Sequence, residues 1–204
     1  MSASRLVLSS RNQKKIGEVL ELLAPWGIEV VGVEQFPSVG EVEEDGDTFL
    51  ANASKKATEV ARQVNAWVLA EDSGLCVDAL NGAPGVVSAR YAGTQGNDAA
   101  NNEKLLQELA AVPTEQRTAY YLCCAVVSDP QGNVQVVSEG RCRGRILREH
   151  KGTNGFGYDP LFLVPEYHKT FGELPPAVKR HISHRAKAFE RLIPDLVRVL
   201  KQHG

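Results

Sequence analysis

With 204 residues, 43% of them hydrophobic, the chain can bury a sizeable core within one domain spanning residues 1–204. Its 23 Lys and Arg against 25 Asp and Glu give a net charge of −2, which argues against bulk binding to nucleic acid or to a membrane surface. There is no long apolar segment and no signal-peptide pattern, so a soluble cytoplasmic protein is expected; Cys76, Cys123, Cys124 and Cys142 lack Cys-x-x-Cys spacing and read as reduced core residues.

Leu6 to Ser9 reads as a short strand entered directly from Met1 to Arg5, and Ile16, Val19, Leu20 and Leu23 then keep the i, i+3, i+4, i+7 spacing of a helix. Between them Ser10, Arg11, Asn12, Gln13, Lys14 and Lys15 make a polar turn at the helix N-terminus. Unpaired backbone N–H groups and the positive dipole end suit phosphate there, although the turn lacks P-loop glycines. An ordinary Ser/Asn cap with solvated lysines has the same composition. Ile28 to Val33 is a second strand candidate, stopped at Phe36-Pro37. Glu41, Glu43, Glu44, Asp45 and Asp47 then crowd together, more acids than the dipole of the helix from Thr48 to about Val64 requires. A hard cation such as Mg²⁺ wants a few carboxylates and leaves its other positions to water and phosphate. Asn52 and Lys56 lie four apart and share one face of that helix.

Trp67 to Leu69 reads as a buried strand and Leu75 to Val77 as its continuation, with Glu71 and Asp72 entering a Ser73-Gly74 turn between them. Alternation along a strand sends the two carboxylates to opposite faces, so only one need face a site; a solvated strand-end turn is the plainer alternative. Gly82, Pro84 and Gly85 shape a loop that offers Arg90. Asn97 to Val112 is an amphipathic helix buried through Leu105, Leu106 and Leu109. Tyr120 to Val127 and Asn133 to Val137 flank Asp129-Pro-Gln-Gly132 as a hairpin of core sheet.

Glycines at 152, 155 and 157 let the next loop approach a partner closely while Phe156, Tyr158 and Asp159 project from it. A nucleobase can stack on such a ring and be read at its edge; a glycine turn tucking aromatics into the core fits equally well. Lys179, Ser183, His184 and Arg185 are donor candidates within a run that otherwise reads as a solvated basic face. The five histidines lack the helical His-x-x-x-His spacing of a zinc site. Phe189, Leu192, Ile193, Leu196, Val197 and Leu200 form the core stripe of a last helix, which Pro194 is expected to kink or divide.

Taken together, Ser10-x-Asn12-x-x-Lys15, Glu44-x-x-x-Thr-Phe49 with Asn52 and Lys56, Glu71-Asp-Ser-Gly74, Gly82-Ala-Pro-Gly85 with Ser88-Ala-Arg-Tyr91, Gly155-Phe-Gly-Tyr-Asp-Pro160 and Ile182-Ser-His-Arg185 resemble the inosine triphosphate pyrophosphatase family over nearly the whole chain. The resemblance implies an elongated α/β fold with a long mixed central sheet, two lobes with a cleft between them, and a homodimer. It implies hydrolysis of non-standard purine nucleotides (ITP, dITP, XTP) to monophosphate and pyrophosphate with Mg²⁺. By position, Asp72 matches the proton acceptor and Lys15 the charge-offsetting cation, with Glu44, Glu71 and Asp72 at the metal. Ser10 to Lys15 matches the triphosphate turn, Ser73 and, less directly, Lys56 and Arg90 further contacts. Phe156, Gly157, Tyr158 and Asp159 match the base loop, and Lys179, His184 and Arg185 the remaining nucleotide contacts. A 6-keto oxygen would accept from Arg185 or His184. Arg11 and Pro175-Pro176 depart from the family pattern. The alternative is a regulatory protein that binds purine nucleotides without turnover; a nucleic-acid module built on the basic run would show a steep salt dependence.

Overall fold

The computed structural model describes residues 5–203; the lead from Met1 to Ser4 lies outside them. Strand β1 is Arg5–Leu8, followed by helix α1 (Gln13–Leu23), β2 (Glu29–Gly32), α2 (Phe49–Val64) and β3 (Trp67–Val77). Then come α3 (Asp98–Glu108), β4 (Thr118–Ser128), β5 (Val134–Ile146), β6 (Phe162–Val164), β7 (Lys169–Thr170), α4 (Pro176–Ile182) and α5 (His184–His203). The strands take the order β2-β1-β3-β4-β5-β6-β7. β1 runs parallel to both β2 and β3, whereas β6 is antiparallel to β5 and β7, giving the mixed α/β sheet implied by the resemblance.

The chain divides into two compact units. Met1–Asp72, Cys123–Gly140 and Arg185–Gly204 form the first, and Ser73–Leu122 with Arg141–His184 the second. In the first, Leu6 and Leu8 of β1 pack with Val19 and Leu23 of α1, Leu69, and Phe189, Leu192 and Leu196 of α5. Val7 points the other way, joining Val31, Val68 and the α2 residues Val60 and Ala61. A parallel strand buried on both faces reads as an unbroken apolar run, and Leu6-Val7-Leu8 is one. The second unit has its own core, in which Leu75 and Val77 meet Leu105, Leu109, Tyr121, Ile146, Phe162 and Phe171.

Three expectations need correction. β3 does not break at a Ser73-Gly74 turn but runs unbroken from Trp67 to Val77. Gly74 serves close approach instead: a Cβ there would lie 2.7 Å from the Gly85 carbonyl oxygen and collide with Ser88 Oγ, which accepts from the Leu75 amide at 2.9 Å. Pro194 is exposed and does not divide α5, because the buried stripe of Leu192, Ile193, Leu196 and Leu200 holds the helix on both sides of it. The hairpin strands β4 and β5 also extend well past the apolar cores that mark them in the sequence. All four cysteines are buried and none is in a disulfide.

Candidate active site

In the first unit the sheet register creates the site. Leu8 of β1 pairs with Leu69 of β3, and the Ser9 amide adds one bond to the Leu69 carbonyl at 2.8 Å before the chain turns into α1. β3 continues, so Glu71 and Asp72 lie just past the carboxyl end of β1, where open parallel sheets bind ligands. Alternation separates them as expected. Glu71 meets α5 and β4: Arg185 Nη2 donates to its Oε1 at 3.2 Å and the Cys123 thiol to its Oε2 at 3.5 Å. Asp72 faces α2, where Asn52 Nδ2 donates to its Oδ2 at 3.1 Å and Lys56 Nζ stands 3.9 Å from its Oδ1. The shared helical face of Asn52 and Lys56 is therefore directed at Asp72. Lys15, one turn into α1, reaches both acids, 3.3 Å from Glu71 Oε1 and 4.0 Å from Asp72 Oδ1.

The polar turn is a cap: the Asn12 side chain accepts from the amides of Lys14 and Lys15, and Ser10 Oγ from the Asn12 amide. Arg11 Nη2 donates to the Val39 carbonyl at 2.8 Å, fastening the start of the acidic loop. Gln13 and Lys14 are exposed. Of the five loop acids, Glu44 accepts from Lys56 Nζ at 2.9 Å and Asp45 is occupied by Lys55 at 2.7 Å, while Glu41, Glu43 and Asp47 are exposed. The result is an alternating series of charges: Glu18, Arg185, Glu71, Lys15, Asp72, Lys56, Glu44.

Burial pushes the Asp72 carboxyl above its ordinary range; Lys56 and Lys15 pull it down, and Glu44 and Glu71 add to the rise. For Lys15, burial alone would lower the ammonium, and Glu71 with Asp72 more than offset it, so it stays charged. Burial, then Glu71, holds the Cys123 thiol well above its usual value, which keeps its proton available to Glu71. The Asp72 carboxyl is expected to titrate at higher pH in Lys56→Gln and at lower pH in Glu44→Gln, as read by its side-chain NMR signal; movement of both in the same direction would overturn these causes.

Among the described residues no three His, Cys, Asp or Glu side chains converge as a cation-binding group. The lysines stand between Glu71, Asp72 and Glu44 instead. These carboxylates supply hard oxygen donors, and lacking a closed cage they fit a cation that brings phosphate oxygens with it.

In the second unit the glycine loop folds partly inward. Tyr158 is buried and its hydroxyl donates to the Ser88 carbonyl at 2.8 Å. Asp159 is buried too; its Oδ2 accepts from the Phe156 amide at 2.8 Å and from Lys179 Nζ at 2.7 Å. Gly155 has φ +76°, and the Asp159 carboxylate occupies the space of its missing Cβ, so only glycine fits. Tucking into the core thus holds for Tyr158 and Asp159, whereas Phe156 remains half-buried with the Lys179 ammonium 4.6 Å from its ring centroid. The basic run is solvated only at Arg180 and His181. Lys179, Ser183, His184 and Arg185 are all buried, and His184 stacks on Tyr121 at 4.7 Å. Ser73 follows Asp72 on β3, half-buried, and Arg90 ends a short 3₁₀ turn over Gly85–Arg90. Sequence reasoning missed Glu18, Cys123, Asp98 and Asn102; only the spacing of Glu18, three residues after Lys15, hinted at a shared helical face.

The mixed α/β sheet thus sets Lys15, Lys56 and a desolvated aspartate at the carboxyl end of a parallel strand, where proteins of the open α/β class bind their ligands. The Ham1 family model matches residues 6–195, and the chain belongs to that family. It is 54% identical over 199 residues to a dITP/XTP pyrophosphatase of Rhodopirellula baltica, covering 98% of this chain and 96% of the relative. To the dITP/XTP pyrophosphatase of Desulforamulus reducens it is 51% identical, covering 96% of each chain. A HAM1 protein from Coxiella burnetii has the same fold with a TM-score of 0.86 and 40% identity, over 98% of this chain and 99% of that one. No described helix is long and apolar enough to cross a membrane.

Proposed function

We propose that this chain is a cytoplasmic, homodimeric nucleoside triphosphate pyrophosphatase that converts inosine, deoxyinosine and xanthosine triphosphates to the monophosphates and pyrophosphate, clearing them from the nucleotide pool. The observation that carries the reading is the Lys15 ammonium between the carboxylates of Glu71 and Asp72, in a chain 54% identical to a dITP/XTP pyrophosphatase. Lys15 and Lys56 draw the triphosphate and offset charge that builds on its oxygens, while the Ser10 to Lys15 turn and Ser73 orient it. Asp72, raised by burial, takes the proton from a water attacking the α-phosphorus. A new P–O bond forms as the bond to the bridging oxygen breaks, and pyrophosphate leaves. Asp72 and Glu71, with help from Glu44, would hold a magnesium ion, which when bound would supply further neutralisation of the phosphate oxygens.

The base is assigned to the glycine loop, where the exposed part of the Phe156 ring provides stacking indifferent to base identity. A 6-keto oxygen needs a donor. Arg185 already donates to Glu18 and Glu71, so the contact is assigned to His184, with Lys179 and Arg90 completing the nucleotide contacts. Adenine presents an amino group at that position and leaves the donor unpaired, a mismatch worth up to ~10⁴-fold in discrimination.

The test is pyrophosphate release from inosine and xanthosine triphosphates against ATP, GTP and CTP, each with Mg²⁺ and with chelator. Metal-dependent release from the first two is expected. Release from all five keeps the phosphate chemistry and discards the base assignment, and nucleotide binding without release favours a regulatory protein.

A further inference from the structure

Helix α3 carries more than its leucine stripe. Asp98 and Asn102 lie four residues apart, on one face of the helix, and both reach the Gly157 peptide unit of the glycine loop. Asp98 Oδ2 accepts from the Gly157 amide at 2.8 Å, and Asn102 Nδ2 donates to the Gly157 carbonyl at 2.9 Å. One residue is thus gripped on both its backbone polar groups. Gly157 has φ +61°, a conformation the chain does not hold without support at most residue types, and Phe156 precedes it directly. The neighbouring Asn101 does the same for the other candidate loop, its carboxamide accepting from the Ala92 amide at 2.7 Å and donating to the Ala89 carbonyl at 3.3 Å, on either side of Arg90.

Asn102 has a further peculiarity. It is 5% exposed, and its Oδ1 has no hydrogen-bond partner among the described residues. An unsatisfied buried carbonyl is costly, and an apolar side chain of similar size would avoid that cost. It would also take the donor from the Gly157 carbonyl, so what the asparagine supplies here is the bond from its amide nitrogen to the loop. Phe156 is fixed from three directions: by the Asp98–Asn102 grip behind it, by Asp159 on its own amide, and by the Lys179 ammonium at its ring. A half-buried ring that must receive a flat ligand gains most from such fixing, because a ring already ordered loses little entropy on binding.

We infer that Asp98 and Asn102 are positioning residues that hold the Gly157 peptide so that Phe156 stands ready for the purine base. This rests on the assignment of the base to the Phe156 loop. Neither residue touches the substrate, so their effect falls on base affinity and not on phosphate chemistry.

The experiment compares KM and kcat for inosine triphosphate with the inhibition constant of inorganic tripolyphosphate, which has the phosphates and no base. Asn102→Asp removes the donor at constant shape and sets an oxygen against the Gly157 carbonyl; Asp98→Ala removes the acceptor, and Asp98→Asn keeps one. Asn102→Asp and Asp98→Ala should each raise KM about tenfold, the equivalent of one buried hydrogen bond, with kcat and tripolyphosphate inhibition within about twofold of the parent. Asp98→Asn should restore KM to near the parent value. Phe156→Ala separates the two levels of the argument. If it raises KM while the α3 variants do not, the inference falls and the base assignment stands; if it too leaves KM unchanged, the base assignment falls. Equal losses in kcat and in tripolyphosphate inhibition would mark α3 as merely structural and also overturn the inference. Should Asn102→Asp fail to fold, the Asp98 pair carries the same comparison alone.

Discussion

Asp72→Asn lowers kcat by about 10³-fold with saturating metal and leaves KM within a few-fold, because a positioned general base contributes roughly 10²–10⁴-fold and the amide keeps the shape. The neighbourhood makes this substitution clean. Asn52 Nδ2 and Lys56 Nζ address different oxygens of the carboxylate, so a carboxamide retaining its Oδ1 toward Lys56 loses the Asn52 contact and little else. Removing the charge relieves desolvation, the largest influence raising the Asp72 pKa, and takes from Lys15 and Lys56 part of the charge that compensates them, so the two effects on folding oppose each other. The sign of the pH dependence follows from the same influence. Below its folded pKa Asp72 carries a proton and is no base, so activity in the parent rises with pH through a limb set above the ordinary aspartate range, about 3.9. That limb disappears in Asp72→Asn. A stopped assay at several pH values reads both effects, and a variant that turns over normally, or keeps the limb, removes Asp72 from the role.

Much of this site was legible because its groups are close in sequence or fixed by a simple period. The β1–turn–α1 unit put Lys15 at a helix start, the four-residue spacing put Asn52 and Lys56 on one face, and strand alternation separated Glu71 from Asp72. Where reading failed, the deciding partner was far away. Ser73-Gly74 has the local chemistry of a turn, yet Ser88 and Gly85 come so close to Gly74 that the pair belongs inside a strand. The run from Lys179 to Arg185 looks solvated because its carboxylates, Asp159 and Glu71, are 20 and 114 residues earlier, and no local pattern carries such distances. Asp98 and Asn102 were hidden differently: the leucines beside them explain the helix fully, leaving nothing in the sequence for the polar residues to explain.

Arg185→Ala destabilises the protein by about 3–5 kcal/mol, the usual consequence of removing one partner from a buried ion pair. Arg185 is 1% exposed and Glu71 0% at the side chain, and the guanidinium is shared between Glu71 and Glu18, at 28% exposure the more solvated of the two acids. Without it Glu71 keeps Lys15 at 3.3 Å and the weak Cys123 donor, but Lys15 is divided with Asp72, so a desolvated carboxylate is left short of compensation. Burial works against the guanidinium charge and Glu71 with Glu18 more than restore it, which marks the three as one electrostatic unit. That coupling gives the decisive comparison. If the loss comes from the stranded carboxylate, Glu71→Gln added to Arg185→Ala recovers part of it, and the double variant unfolds at a higher urea midpoint than Arg185→Ala alone. If the loss comes from packing around the arginine stem, Glu71→Gln adds its own cost and the double variant is the least stable of the three. Urea midpoints of the parent, both single variants and the double variant decide between the two, and a loss below about 1 kcal/mol in Arg185→Ala would show that the Arg185–Glu71 pair contributes little to folding.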